Sequence, residues 1–380
     1  MRPSAFRRTA VAALVVILAA GMVEPSMAKP GKRKGPKHKV KTPREVVDVY
    51  YPRCAGNPDD VTRLDMYVNG SLTWGLYAMP PTPAKGIVVV GHGYGHTPES
   101  WRKHLTTIAR RNNVVAVGMN YRDTWGGSLP DTRGWEAHEG AEDSIAAAQL
   151  FQRACPTAHT IVMYGVSMGG NIAGLAVAYN AKRSNGKPLF DYLFDIEGAV
   201  NVTETYLEAR GLAQSGNQFA KDAVADIERE MGGKFEDKRD VYLDRTVVNR
   251  VDDIAAAGIK GVVMVHGVDD GLVGYNQSPE FLTRLRQAGV PVDFWTAVTR
   301  GEDSEPGTTL DGYVTGSIPG YTSPFAGHAS EASETHIVGV AGFERLAALF
   351  RGEAPACRTG VLDGTLGFGA KTPFTSPATC

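Results

Sequence analysis

Short apolar runs alternate along the chain with longer stretches of helical period. That alternation predicts a largely parallel sheet covered by helices on both faces. Residues 64–68 and 72–78, separated by Asn69-Gly70, predict an opening antiparallel hairpin, because the Asn-Gly pair suits the tight turn between two strands. A buried strand at 87–90, a helix at about 98–111, a strand at 114–119 and a helix at about 139–154 follow. The apolar run 161–164 leads into a glycine-rich turn and a further helix, and 193–196 reads as the next strand. After it, roughly 201–253 turns charged and helix-prone, notably 219–231 and 234–250, which predicts a helical insertion. Strands at 261–265 and 292–297, a helix at 278–288 and a terminal helix at about 338–350 complete the series, with 292–297 as the last strand. The expected architecture is therefore a doubly wound α/β sheet of about eight strands.

Composition agrees with one sizeable globular domain over 46–380, since 380 residues that are 43% hydrophobic and 21% charged can enclose a large core. The first 28 residues differ from the rest. Arg2, Arg7 and Arg8 precede the apolar run 10–22, and Ser26-Met27-Ala28 supplies the small residues of a cleavage site, so a secretory leader is expected with no membrane span once it is removed. The segment 29–45 is basic and proline-containing, a composition that favours a solvated linker or contact with an anionic envelope surface. The formal charge of the whole chain is −1. The leader carries three Arg against Glu24, and 29–44 carries eight basic residues with no acid, so the body from residue 45 is at −11. A body so acidic is a poor partner for nucleic acid. Cys54, Cys155, Cys357 and Cys380 are even in number, as a disulfide framework in an oxidising compartment requires. Three pairings exist; Cys357–Cys380 would pin the Gly- and Thr-rich tail 351–380, leaving Cys54–Cys155. No Cys or His spacing matches a structural zinc site, and no metal is implied.

The chemistry concentrates at Gly165-Val166-Ser167-Met168-Gly169. With 44 Gly and 16 Ser the bare Gly-x-Ser-x-Gly pattern arises by chance about 0.2 times in such a chain, so its position between a strand and a helix has to carry the reading. A sharp strand-to-helix turn lifts a serine out of the sheet and leaves no room for side chains two residues to either side. Two further loops stand at strand ends. Gly91-His92-Gly93-Tyr94-Gly95-His96 follows the strand 87–90, and His266-Gly267-Val268-Asp269-Asp270-Gly271-Leu272-Val273 follows the strand 261–265.

From about residue 60 to 350 the chain resembles the α/β-hydrolase fold superfamily, in which nucleophile, acid and histidine occur in that order, each after a strand end. The resemblance implies Ser167 as nucleophile and Asp270, not its neighbour Asp269, as the acid that orients the imidazole. It also implies the backbone amides of Tyr94 and Met168 as the oxyanion hole, with His92 bracing that loop rather than transferring protons. The histidine must follow 292–297, where only His328 and His336 remain. His328 lies in a small-residue loop resembling the superfamily's histidine loop, whereas His336 abuts the terminal helix, where it can cap or pack. In such a fold an insertion leaving a strand's carboxyl end becomes a lid, or else a solvated decoration.

Residues 299–322 form a long connection rich in Gly, Ser, Thr and acids, whose spacing defines no ion site. Trp101, Trp125, Trp135 and Tyr121 are treated as packed aromatics rather than site residues. The implied activity is that of a secreted serine hydrolase cleaving small-molecule or polymer carboxylic esters through an acyl-enzyme, with no cofactor. A peptidase or amidase on the same fold, or a silent hydrolase fold used for binding, are the alternatives.

Overall fold

The computed structural model describes residues 54–122, 134–268, 270–298, 328, 329, 331, 336–363 and 371–374. The leader, the basic segment, Trp125, Asp269, the 299–322 connection and Cys380 lie outside the described residues.

One ten-stranded sheet runs in the order β1-β2-β4-β3-β5-β6-β7-β8-β9-β10. The hairpin β1 (Thr62–Val68) and β2 (Ser71–Ala78) turns through Asn69 and Gly70, both at positive φ. Strand β2 runs antiparallel to β4 (Val114–Met119), and from β4 the sheet is parallel through β3 (Gly86–Gly91), β5 (Thr160–Val166), β6 (Tyr192–Ile196), β7 (Gly261–Gly267) and β8 (Val292–Val298). The continuous apolar runs are explained by burial on both faces. In β3, Ile87 and Val89 join one core and Val88 and Val90 the other. Helices α1 (Arg102–Asn112) and α9 (Ile337–Phe350) cover the second core, whereas α2 (Ala137–Ala154), α3 (Met168–Ala178) and α8 (Gln277–Gln287) cover the first.

The sheet exceeds the expected eight strands, and 292–297 is not its last. Strand β9 (Arg358–Asp363) adds parallel to β8 and β10 (Lys371–Phe374) adds antiparallel to β9. The tail is therefore held by backbone pairing as well as by a disulfide at Cys357, whose expected partner Cys380 is outside the described residues. Ion pairing registers β9, because Arg358 grips both oxygens of buried Asp293 on β8 at 2.7 and 2.6 Å. Cys54 and Cys155 are disulfide-bonded and tie the segment before β1 to the end of α2.

The insertion after β6 is helical: α4 (Val202–Gln214), α5 (Gln218–Met231) and α6 (Phe235–Arg245). The single helix expected over 234–250 is divided. Past Thr246 the chain turns through a short 3-10 segment (Val247–Asn249) into α7 (Val251–Ala257). Buried Val247, Val248, Val251 and Ile254 return the chain to the main core, where Val247 packs on Gly174 of α3. Among the described residues no helix is long and apolar enough to cross a membrane.

Candidate active site

Ser167 and the loops that hold Tyr94 and Asp270 follow the carboxyl ends of the parallel strands β5, β3 and β7, Met168 opens the helix after β5, and His328 comes after β8 in the chain. Ser167 directly follows β5 and adopts φ 58°, ψ −127°, a conformation that non-glycine residues rarely hold without a reason in the surroundings. The two elbow glycines are required by backbone contact. A Cβ on Gly165 would lie 1.9 Å from the Gly169 carbonyl oxygen, and one on Gly169 would lie 2.2 Å from the Gly91 carbonyl oxygen. The elbow thus packs directly against the start of the loop after β3. Its conformation is locked by Ser167 N donating to Ile196 O at 3.1 Å and by Gly170 N and Ala199 N donating to Ser167 O at 2.8 and 3.0 Å. Met168 opens α3, where the first-turn amides have no intrahelical acceptor and point toward incoming negative charge.

The glycine-rich loop after β3 is held from two sides. Tyr121, at the end of β4 and itself at φ 67°, accepts from His92 N at 2.7 Å and donates to His92 O at 3.2 Å, while its ring stacks on the imidazole 4.0 Å away. Burial lowers His92 to about 4, so its imidazole is neutral at pH 7. Buried Glu331, three residues beyond His328, accepts from Gly93 N at 3.1 Å, from His96 Nδ1 at 2.6 Å and from Ser100 Oγ at 2.8 Å. Burial pushes Glu331 up, but the charge of His96 and the bonds from His96 and Ser100 outweigh it and hold it at about 2. Sequence reading missed both anchors. Tyr121 passed as a packed aromatic, and only the His-x-x-Glu spacing hinted at Glu331.

Asp270 and His328 meet. His328 Nδ1 lies 2.7 Å from Asp270 Oδ2, with both side chains buried. The other carboxylate oxygen accepts from Leu272 N at 2.8 Å and Val273 N at 2.9 Å, so the turn's backbone fixes the carboxylate. Burial alone would raise Asp270; the charge of His328, with hydrogen bonds from His266 and His328, outweighs it and holds the acid well below the usual carboxylate range. Beneath it, buried His266 lies 3.2 Å from Asp270 Oδ2 and 2.7 Å from Ser278 Oγ. His336 is the N-cap of α9, its ring nitrogen accepting from Val338 N at 3.3 Å.

A second buried carboxyl, Glu197, follows β6 and was absent from the sequence-derived set. Its oxygens accept from Gly267 N at 3.2 Å and from Ala329 N. Glu197, Asp270 and His328 could together offer three atoms to a metal, as could Glu136, Glu139 and Glu230. In the first group, however, the ligand atoms are committed to backbone amides and to one another.

A cavity of about 330 Å³ opens over Ser167 and Asp270. Helices α4 and α5 form much of its wall, with apolar Leu212, Phe219 and Ile227 among the side chains that face it. Tyr94 and Trp135 also line it, so Trp135 is more than the packing residue expected. Tyr94 also ties the glycine-rich loop to α5, donating to Asp226 Oδ2 at 2.7 Å.

No family model matches the chain, and no curated protein does. Among solved structures it is similar to a Pyrobaculum calidifontis esterase, with 17% identity over 78% of this chain and 86% of that one and a TM-score of 0.52. It is also similar to Pyrococcus horikoshii acylaminoacyl peptidase, with 16% identity over 63% of this chain and 37% of that one and a TM-score of 0.47. A Mycobacterium tuberculosis puromycin-hydrolyzing peptidase gives 19% identity over 63% and 35%, at 0.45. The chain spans about a third of the length of those two peptidases. The class is defined by the sheet order, the elbow and the likeness to the esterase: the chain has the α/β-hydrolase fold.

Proposed function

We propose that this chain is an extracytoplasmic serine hydrolase that cleaves carboxylic esters through an acyl-enzyme on Ser167. The observation that carries the reading is the strained Ser167 on the wall of the same cavity as Asp270, which is bonded to His328. In this mechanism His328 takes the Ser167 Oγ proton as the oxygen attacks the ester carbonyl, and Asp270 stabilises the imidazolium. The amides of Tyr94 and Met168 receive the oxyanion. Collapse expels the alcohol, which leaves with the proton from His328. Water, deprotonated by the same imidazole, then releases the acid and restores the serine. Export is supported by the leader-like N-terminus and by the disulfides.

Helices α4 and α5 act in this reading as a lid whose apolar wall receives the acyl group. Esters need less leaving-group activation than amides, which places them ahead of peptides. The test is a panel of activated esters of short and medium acyl chains beside aminoacyl anilides. Efficient ester cleavage is expected, and turnover confined to anilides would overturn the ester assignment. Glu208 on α4 also lines the cavity, and burial followed by the charges of Glu204 and Asp270 raises its pKa. Because Glu208 and Asp270 both line the cavity, an ester with a carboxylate on its acyl chain should be a poor substrate, and Glu208→Gln should narrow the gap to its neutral isostere by roughly 3- to 10-fold in kcat/KM.

Glu331 acts in this scheme by placing the oxyanion loop. Glu331→Gln should lower kcat roughly 10-fold with little change in KM, because the lost interaction matters once charge develops on the substrate oxygen. Its folded pKa lies below the ordinary 4.5, so its stabilising contribution is complete above that pH and is lost as pH falls toward 2. A Glu331→Gln protein whose acid melting profile overlays the wild type would contradict this.

A further inference from the structure

Glu197 does more than fill space at the end of β6. It holds φ 49° although it is not glycine, a backbone cost that persists where the surroundings demand the geometry. Its side chain is fully buried. One oxygen accepts from Gly267 N, where β7 gives way to the Asp270 loop; the other accepts from Ala329 N, beside His328. That second oxygen lies 3.7 Å from His328 Nδ1, the nitrogen bonded to Asp270. Resting on the serine-hydrolase reading above, we propose that Glu197 is a positioning residue that clamps the histidine loop to the acid loop and stands as the second carboxyl for His328 when Asp270 is removed.

Two carboxyls this close to one imidazole cannot both carry charge cheaply. The ionisable groups around Glu197 are Asp195 on its own strand, His266 and Asp270 from β7 and its loop, and His328. Burial, and next the charge of Asp270, push Glu197 well above the ordinary carboxylate range. Asp195 is raised by burial to about 7 and adds to the same effect. With Asp270 charged, Glu197 is held neutral and works through its backbone bonds. Removing Asp270 removes that charge, the largest contribution after burial, and the proposal is that Glu197, 3.7 Å from His328 Nδ1, then carries the negative charge in its place.

The experiment compares wild type, Glu197→Gln, Asp270→Ala and the double variant on an activated ester, measuring kcat, KM and the pH profile of kcat/KM, with circular dichroism as the check on folding. Glu197→Gln alone is expected to lower kcat roughly 10-fold at nearly constant KM, through loosened placement of His328. In the Asp270→Ala background the same change is expected to cost at least another 10-fold beyond that, a coupling that independent sites do not show. The acidic limb of the Asp270→Ala profile should stay near that of the wild type, and in the double variant it should move to lower pH by about one unit, because the imidazolium has lost its last carboxylate. Equal costs of Glu197→Gln in both backgrounds, or a limb that falls fully in Asp270→Ala alone, would overturn the proposal. Should the Gln variants fail to fold, the Asp270→Ala profile decides by itself. Failure of a serine-directed phosphonate to label the wild type would reject the underlying serine-hydrolase reading instead.

Discussion

A Ser167→Ala protein is expected to lose turnover of an activated ester by on the order of 10⁵–10⁶-fold, with its melting temperature within a few degrees of the wild type. The loss is so large because the whole proposed reaction passes through one oxygen: without Oγ there is no nucleophile, and His328 and Asp270 have nothing to activate. Stability should hardly change, since the elbow is fixed by the Ser167 backbone, whose N–H and C=O bonds an alanine retains. Alanine also removes no packing beyond one small oxygen on the cavity wall. A fluorophosphonate probe should label the wild type and not the variant; labelling that survives would place the nucleophile elsewhere. His328→Ala should fall by several orders of magnitude in kcat, because the general base and its hydrogen bond to Asp270 are lost together. His336→Ala should instead weaken the cap of α9, at about 1 kcal/mol of stability or somewhat more, with kcat largely kept. An inverted order between the two histidine variants would transfer the base to His336.

How much of this could be read from the chain follows from what each residue contacts. The parallel strands were legible because burial on both faces forces continuous apolar runs, as in residues 86–91 and 114–119. Strand β9 was not legible, since Arg358, Thr359 and Gly360 carry no apolar run. Its partners explain it: Arg358 answers buried Asp293, and a Cβ on Gly360 would lie 2.3 Å from the Trp295 ring, so a missing side chain is what the strand needs there. The break after Arg245 was hidden because α6 is charged and buries only Tyr242, so no apolar face marks where it ends and the buried Val247, Val248 and Val251 begin. Within the site, Ser167, Asp270 and His328 stand in loops with a recognisable spacing, whereas Glu197, Glu331 and Tyr121 act through hydrogen bonds to backbone that no local pattern encodes. An acid after a strand is ordinary turn chemistry until its burial is known.

The elbow glycines give the sharpest division between a folding requirement and a chemical one. Gly165→Ala is expected to prevent normal folding, with a cost above about 4 kcal/mol, because its Cβ would meet the Gly169 carbonyl oxygen at 1.9 Å and the Gly169 carbonyl carbon at 2.3 Å. Neither atom belongs to a flexible side chain. Relief would require α3 to move away from β5, and α3 is buried along its whole length in the main core. Gly93→Ala should behave differently. Its Cβ would lie 3.2 Å from Glu331 Oε2 and 3.5 Å from Ser167 Cβ, distances that a carboxylate end and a small loop shift can absorb. The variant should fold, yet lose roughly 10- to 100-fold in kcat as the methyl crowds Ser167 and displaces the oxyanion loop from Glu331. Soluble yield and urea denaturation of the two proteins, beside their ester kinetics, separate the cases. A Gly165→Ala protein that unfolds at the wild-type urea midpoint would mean that the contact between elbow and helix is loose. The strained Ser167 conformation would then lack the packing that holds it.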